Sequence, residues 1–131
     1  MARLDNLQDF ILVVLGSIFG ANTRFIIYQK LNKINLSKNL IILSINTFSS
    51  FSLGFFLSIL SHISSLNYSY QLALFLSVGF LGSLSTFSTF INHLHELLIK
   101  QKFYLAFKLA IISITSGILS FAFGSLLAMN I

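Results

Sequence analysis

Four long stretches of this chain are apolar on nearly every side, and short polar stretches separate them. Small barrels need polar and apolar residues to alternate, so this pattern rejects a β-barrel. A helix of about 20 residues crosses the roughly 30 Å hydrocarbon core of a bilayer. The pattern predicts helices over residues 7–28, 39–60, 71–99 and 103–128. A Lys- and Asn-rich loop (30–38), a Ser- and Asn-rich loop (61–70) and a Lys100-Gln101-Lys102 turn join them. Asp9 suits the positive start of the first helix and Lys30 its negative end. The 131 residues hold four such helices, whereas a fifth would leave almost no loops. The expected fold is an all-α membrane protein, one domain over residues 1–131, with no internal repeat.

The third stretch departs from the others. Its segment Gly79-Phe-Leu-Gly-Ser-Leu-Ser-Thr-Phe-Ser-Thr-Phe90 puts small and hydroxylic residues at membrane depth. There they imply close backbone approach, polar groups satisfied by protein, or a cavity. The chain has no proline, so a broken membrane helix must break at Gly, Ser or Thr. The break is predicted within residues 82–86.

Composition agrees with the pattern. Hydrophobic residues make up 56% of the chain and charged residues 8%, against about a quarter charged in soluble domains. The absence of cysteine excludes disulfide and thiolate chemistry. Asp5 and Asp9 occupy the place of a basic leader region, so the first stretch reads as a retained helix rather than a cleaved signal peptide. The net charge of +5 has no soluble face on which to bind nucleic acid and reads instead as a topology signal. Lys30, Lys33, Lys38, Lys100 and Lys102 fall on one side of a four-helix arrangement, and Arg3 falls on the other. The positive-inside rule then puts the lysine loops in the cytoplasm and both termini outside.

Four intramembrane features carry candidate chemistry. Arg24 is either a charge reaching for the interface or a vestibule charge that attracts anions. Asn46 is costly in a membrane helix unless bonded; its amide serves either as an interhelical bridge or as a donor on an anion path. In the third helix, freed carbonyls at a break over Gly82–Ser85 suit a cation, and exposed N–H groups suit an anion, with Thr86 taken as part of the anion path. Phe87 and Phe90 share one face, as core residues or as ring edges whose weak positive charge supports a dehydrated small anion. In the fourth helix, Ser113, Ser116 and Ser120 fall on one face, either bonding the preceding turn or lining a polar track. His93 and Glu96 share a face but are too few for a zinc site, and the acids Asp5, Asp9 and Glu96 form no hydrolytic constellation. The chain is not expected to be an enzyme.

On these residues the chain resembles the small fluoride channels, called Fluc or CrcB, over nearly its whole length. The family's helix 1 pattern is matched by Gly20, Arg24 and Phe25. Its helix 2 pattern is matched by Asn46, Phe51 and Gly54, with Ser49 replacing a glycine. Its helix 3 signature is nearly intact from Gly79 to Phe90, with Ser83 replacing a glycine and Ser85 a threonine. The resemblance implies an antiparallel dimer in the bacterial plasma membrane, with two narrow pores that export fluoride passively. It implies a pore asparagine at Asn46, pore phenylalanines at Phe87 and Phe90, and a central sodium ion held by the main-chain carbonyls of Gly82 and Ser85. Two positions depart from the family: His93 stands where many members carry a glutamate, and Lys108 or Leu109 where a Tyr or Asn is usual.

The charge bias implies that the chain inserts one way and pairs with a homologous, oppositely oriented chain, or otherwise with itself. Two rival readings stand beside the channel: a non-conducting structural or assembly subunit of a membrane complex, and a proton-coupled anion exchanger with His93 as its titratable group.

Overall fold

The structure, a computed structural model, describes residues 2–34, 36–62 and 68–130, with the backbone alone for residues 2–5. Residues 63–67 of the Ser- and Asn-rich loop and the side chain of Arg3 lie outside the described residues. The described elements are all helical: α1 (Ala2–Lys33), α2 (Lys38–His62), α3 (Ser69–Leu72), a π-helix (Ala73–Leu81), α4 (Gly82–Leu84), α5 (Phe87–Ile99) and α6 (Phe103–Met129). Four spans are long and apolar enough to cross a membrane: Asn6–Lys33, Lys38–His62, Ser69–Ile99 and Phe103–Met129. The third comprises the elements from α3 to α5.

The first helix outruns its expected end, so Lys30 and Lys33 form its last turn rather than a loop. Lysine is a good helix former, and cations are favoured at a helix C-terminus. Ser37 starts the second span by accepting a hydrogen bond from the Leu40 N–H at 3.4 Å. The turn between the last two spans closes as a Schellman motif. The Lys102 N–H donates to the Leu97 carbonyl and the Gln101 N–H to the Leu98 carbonyl, each at 2.9 Å.

Glycines set which helices meet. Gly16 lies against the backbone of Phe75 and Gly79, and Gly20 against the Phe80 carbonyl and the Ser83 hydroxyl; a Cβ at either would collide with a main-chain oxygen. This glycine pair brings α1 into backbone contact with the third span. On the other side Gly54 of α2 faces the Phe121 carbonyl, and Gly124 of α6 faces the Phe51 carbonyl. Two close-packed pairs result, α1 with the third span and α2 with α6, and α2 also touches the third span. Between lipid-like helices, such small-residue contacts are what let packing and polar bonds act at short range. The larger buried apolar side chains, Ile41, Ile42, Ile45, Leu81 and Leu84, belong to α2 and the middle of the third span, and α6 adds the buried Ala106 and Ala128.

The sequence reading missed the π-helix. Its nine residues, ALFLSVGFL, are apolar apart from Ser77 and Gly79 and carry no period to betray the wider turn. Its last turn is visible in the Gly82 N–H, which is shared between the Ser77 and Gly79 carbonyls.

Gln101 holds φ 54°, the left-handed region that side chains enter at a cost of roughly 1–2 kcal/mol. Gln101→Gly is therefore expected to stabilise the protein by up to about 1 kcal/mol after the added chain entropy of glycine. Its thermal midpoint in detergent should rise; an unchanged or lower midpoint would show that the turn carries no strain.

Candidate functional site

The third span breaks where the Gly-, Ser- and Thr-rich segment predicts. Ser85 (φ −68°, ψ 153°) and Thr86 (φ −135°, ψ 104°) are both extended, and a new helix starts at Phe87. Serine and threonine hydroxyls compete with backbone bonding, which makes a break possible without proline. The Thr86 hydroxyl accepts from the Thr89 N–H at 3.2 Å and donates to the Thr89 hydroxyl at 2.6 Å, capping α5. The Ser85 hydroxyl donates to the Gly82 carbonyl at 3.3 Å.

Asn46 holds the break in place. Its Oδ1 accepts the Thr86 N–H at 2.8 Å, and its Nδ2 donates to the Thr86 carbonyl at 3.3 Å. The side-chain amide thus pairs with one extended residue much as a neighbouring strand would. An unsatisfied backbone group in hydrocarbon costs several kcal/mol, so this pairing makes a non-helical midpoint tolerable. Of the two roles open to Asn46 from sequence, the interhelical bridge is the one its bonds display.

Asn46, Ser85, Thr86, Phe87, Phe90 and Ser113 line one cavity of about 280 Å³, together with Ser50 and Ile114. The Phe87 and Phe90 rings lie 6.3 Å apart at 41°, and Phe87 is 76% exposed. Arg24 lies elsewhere. With Ala21, Phe25, Tyr28, Ile42 and Ile45 it lines a separate cavity of about 220 Å³, whose remaining wall is Thr86 and Thr89. Thr86, itself 5% exposed, is common to both cavities.

The serine face of α6 divides between two sites. Ser113 joins the phenylalanine cavity, whereas Ser116 and Ser120 line an open groove of about 600 Å³ with Ser44 and Thr47 of α2. The Ser116 hydroxyl donates to the Ser113 carbonyl at 3.2 Å and also lies 3.5 Å from the Thr47 hydroxyl. His93 and Glu96 do meet, Nδ1 to Oε2, at 3.6 Å. Among the described residues no three His, Asp or Glu side chains gather as a metal site. Sequence reasoning counted Thr89 among the hydroxylic residues of the segment but gave it no role, although a threonine three residues after Thr86 matches the spacing of a hydroxyl cap to its first turn.

A four-span helical protein whose third span is unwound at its middle, beside a cavity of hydroxyls, an amide and two phenyl rings, has the architecture of a membrane transport subunit. The chain belongs to the family described as "CrcB-like protein, Camphor Resistance (CrcB)", which it matches over residues 11–125. It is 51% identical over 118 residues to a protein named fluoride-specific ion channel FluC 2 of Prochlorococcus marinus (strain NATL2A), covering 90% of this chain and 95% of that one. A protein of the same strain named fluoride-specific ion channel FluC 1 is 35% identical over 125 residues, covering 95% and 92%. The fluoride-specific ion channel FluC of Ignicoccus hospitalis is 33% identical over 125 residues, covering 95% and 98%.

Asn46→Ala is expected to lose two bonds and leave the Thr86 amide and carbonyl unpaired. The cost should be about 2–6 kcal/mol, at roughly 1–3 kcal/mol for each of the two orphaned groups. It should appear as a lowered midpoint of unfolding in detergent, which Asn46→Asp should partly restore only at acidic pH, where the protonated carboxyl can accept the Thr86 N–H and donate to the Thr86 carbonyl. Equal stability of Asn46→Ala and the parent would mean the break holds itself.

Proposed function

We propose that this chain is one subunit of a fluoride channel that lets cytoplasmic fluoride leave a bacterial cell passively across the plasma membrane. The observation that carries the reading is the Asn46-pinned break, which opens the third span beside Phe87, Phe90 and Ser113 in a single cavity. The names of the relatives, fluoride-specific ion channels, supply the anion.

The chemistry suits a small, strongly hydrated anion. Arg24 raises the local concentration of anions at its own cavity, on the other side of Thr86. The Ser113 hydroxyl, on the wall of the phenylalanine cavity, is a donor that replaces part of the hydration shell. The edges of Phe87 and Phe90 offer weak positive potential that supports the ion without holding it. Conduction needs that balance, since a site that binds too well does not release. The main-chain groups of Thr86 are occupied by Asn46, so the amide acts chiefly by holding the path open. Hydrogen fluoride enters cells as a neutral acid and dissociates; a passive pore for the anion then empties the cell down its own gradient.

The proposal includes an antiparallel dimer with a structural sodium ion between the subunits. The Thr86 N–H, which a continuous helix would give to the Gly82 carbonyl, goes to Asn46, and that carbonyl accepts from the Ser85 hydroxyl instead. Gly82 is exposed, and a Cβ there would meet only the Ser77 carbonyl, at 3.7 Å. Main-chain oxygens on an open face fit a hard monovalent cation completed by a second subunit. Held by the Gly82 and Ser85 carbonyls, the ion would neutralise their partial charge and tie the subunits together. The second subunit is proposed to be a homologous chain of opposite orientation. Five lysines on one side against Arg3 on the other support one-way insertion, and the relatives named FluC 1 and FluC 2 in one strain support a pair.

Vesicles loaded with fluoride and carrying the protein, with its paired homologue where one is needed, should release the anion to a fluoride electrode with no pH gradient. Phe90→Ala should slow that release by about tenfold, which corresponds to about 1.4 kcal/mol. Release that requires a proton gradient would favour an exchanger, and no release with either partner would favour an assembly subunit. Epitope tags at both termini should be labelled from outside the cell alone; equal labelling from both sides would end the one-way reading.

A further inference from the structure

Between the start of α2, the end of α5 and the start of α6 lies a cavity of about 290 Å³, at the lysine-bearing end of the chain. It shares no lining residue with the phenylalanine cavity. Its lining changes character with depth. Ser37 immediately precedes α2, Asn39 stands in the first turn of α2, and Lys108 stands in the second turn of α6. Both helices run inward from this end. Leu43 lies about 6 Å further along α2 than Asn39, and Ile112 about 6 Å further along α6 than Lys108, at 1.5 Å per residue. Leu109 continues that apolar wall, and Leu97 of α5 closes one side.

The polar lining has donors to spare. The Ser37 oxygen accepts the Leu40 N–H at 3.4 Å, and its own hydroxyl hydrogen is not engaged among the described residues. Nor do Asn39 and Lys108 make a side-chain hydrogen bond or ion pair among the described residues. Lys38, Lys100 and Lys102 belong to the same end. Negative charge to balance them is scarce, because Asp5 and Asp9 stand at the start of α1, at the opposite end, and Glu96 lies 3.6 Å from His93. The exposed Lys108 carries its ammonium on a long stem, which lets the charge reach back toward the interface while the stem lies along apolar surface.

We propose that this cavity holds one anionic phospholipid of the leaflet at the lysine-bearing end. Its phosphate meets Lys108, Asn39 and Ser37, and the start of an acyl chain follows Leu43, Leu109 and Ile112. A small anion would use the donors and leave the apolar wall empty. A lipid without net charge would cover the wall and leave the surplus of lysines unmatched. A molecule with a negative headgroup above and hydrocarbon below uses both parts. Basic pockets between membrane helices at the cytoplasmic face recognise such headgroups, and the positive-inside rule assigns this end to that face. A lipid held there ties α5 to the α2 and α6 pair. The proposal depends on insertion in a membrane and not on conduction.

The test counts lipid on the purified full chain, with its paired homologue where one is needed. In an uncharged detergent the protein is titrated with phosphatidylglycerol, phosphatidylcholine or inorganic phosphate, and native mass spectrometry reads what stays bound. Phosphatidylglycerol should be retained over phosphatidylcholine and should raise the thermal midpoint of unfolding. Lys108→Gln, a change at an exposed position, should weaken that retention by about fivefold, the loss expected for one lysine at an anionic headgroup. Lys100→Gln, at the turn outside the cavity, should weaken it less. Leu109→Trp keeps the lysine but fills the apolar wall, and it should weaken retention as well. Equal retention of the two lipids, equal losses in Lys108→Gln and Lys100→Gln, or full retention in Leu109→Trp overturns the proposal. A midpoint raised as far by inorganic phosphate as by phosphatidylglycerol would make the cavity a small-anion site and also overturns it. Retention by the separated chain but not by the assembled protein would show a companion chain over the mouth, which overturns it too.

Discussion

The structure depends on one paired hydrogen bond, from the Asn46 amide to the main chain of Thr86. A membrane interior penalises any backbone group without a partner, and so it tolerates an unwound helix only where something else satisfies the exposed amide and carbonyl. Here a single side chain of α2 does both. Once Thr86 is held extended, α5 restarts with its own cap, the Phe87 and Phe90 rings lie beside the gap, and the Gly82 carbonyl loses its ladder donor. The candidate ion path, the candidate cation site and the wall between two cavities all descend from that one contact.

Close backbone approach is the second requirement. Asn46 reaches Thr86 only because α2 passes near the third span, and α1 holds that span from the other side through Gly16 and Gly20. The small residues work as a distance setting rather than as hinges. The π-helix belongs to the same local geometry, because its wider turn leads directly into Gly82 and so fixes how the main chain enters the break.

Much of this was legible in the sequence, for identifiable reasons. Four apolar stretches announced the spans, and a cluster of Gly, Ser and Thr in a chain without proline announced the break. The shared face of Phe87 and Phe90 followed from helical spacing, and their expected grouping with Asn46 and Ser113 from a resemblance; the four residues do line one cavity. Three features were not legible. The partner of Asn46 lies forty residues on, and no local pattern encodes a contact across that distance. The π turn sits in residues that are apolar apart from Ser77 and Gly79 and so have little register to read. The serines of α6 share a face, yet Ser113 and Ser116 open onto different cavities, a split decided by the neighbouring helix rather than by spacing.

The pairing of Asn46 with Thr86 lies wholly within one chain, which bears on the order of events at birth. Each newly inserted polypeptide can kink its third span with its own side chains, before it has met any companion. In the proposed dimer, joining a companion would then be a matter of two finished shapes fitting together, with none of the energy of that encounter drained by having to unwind a helix.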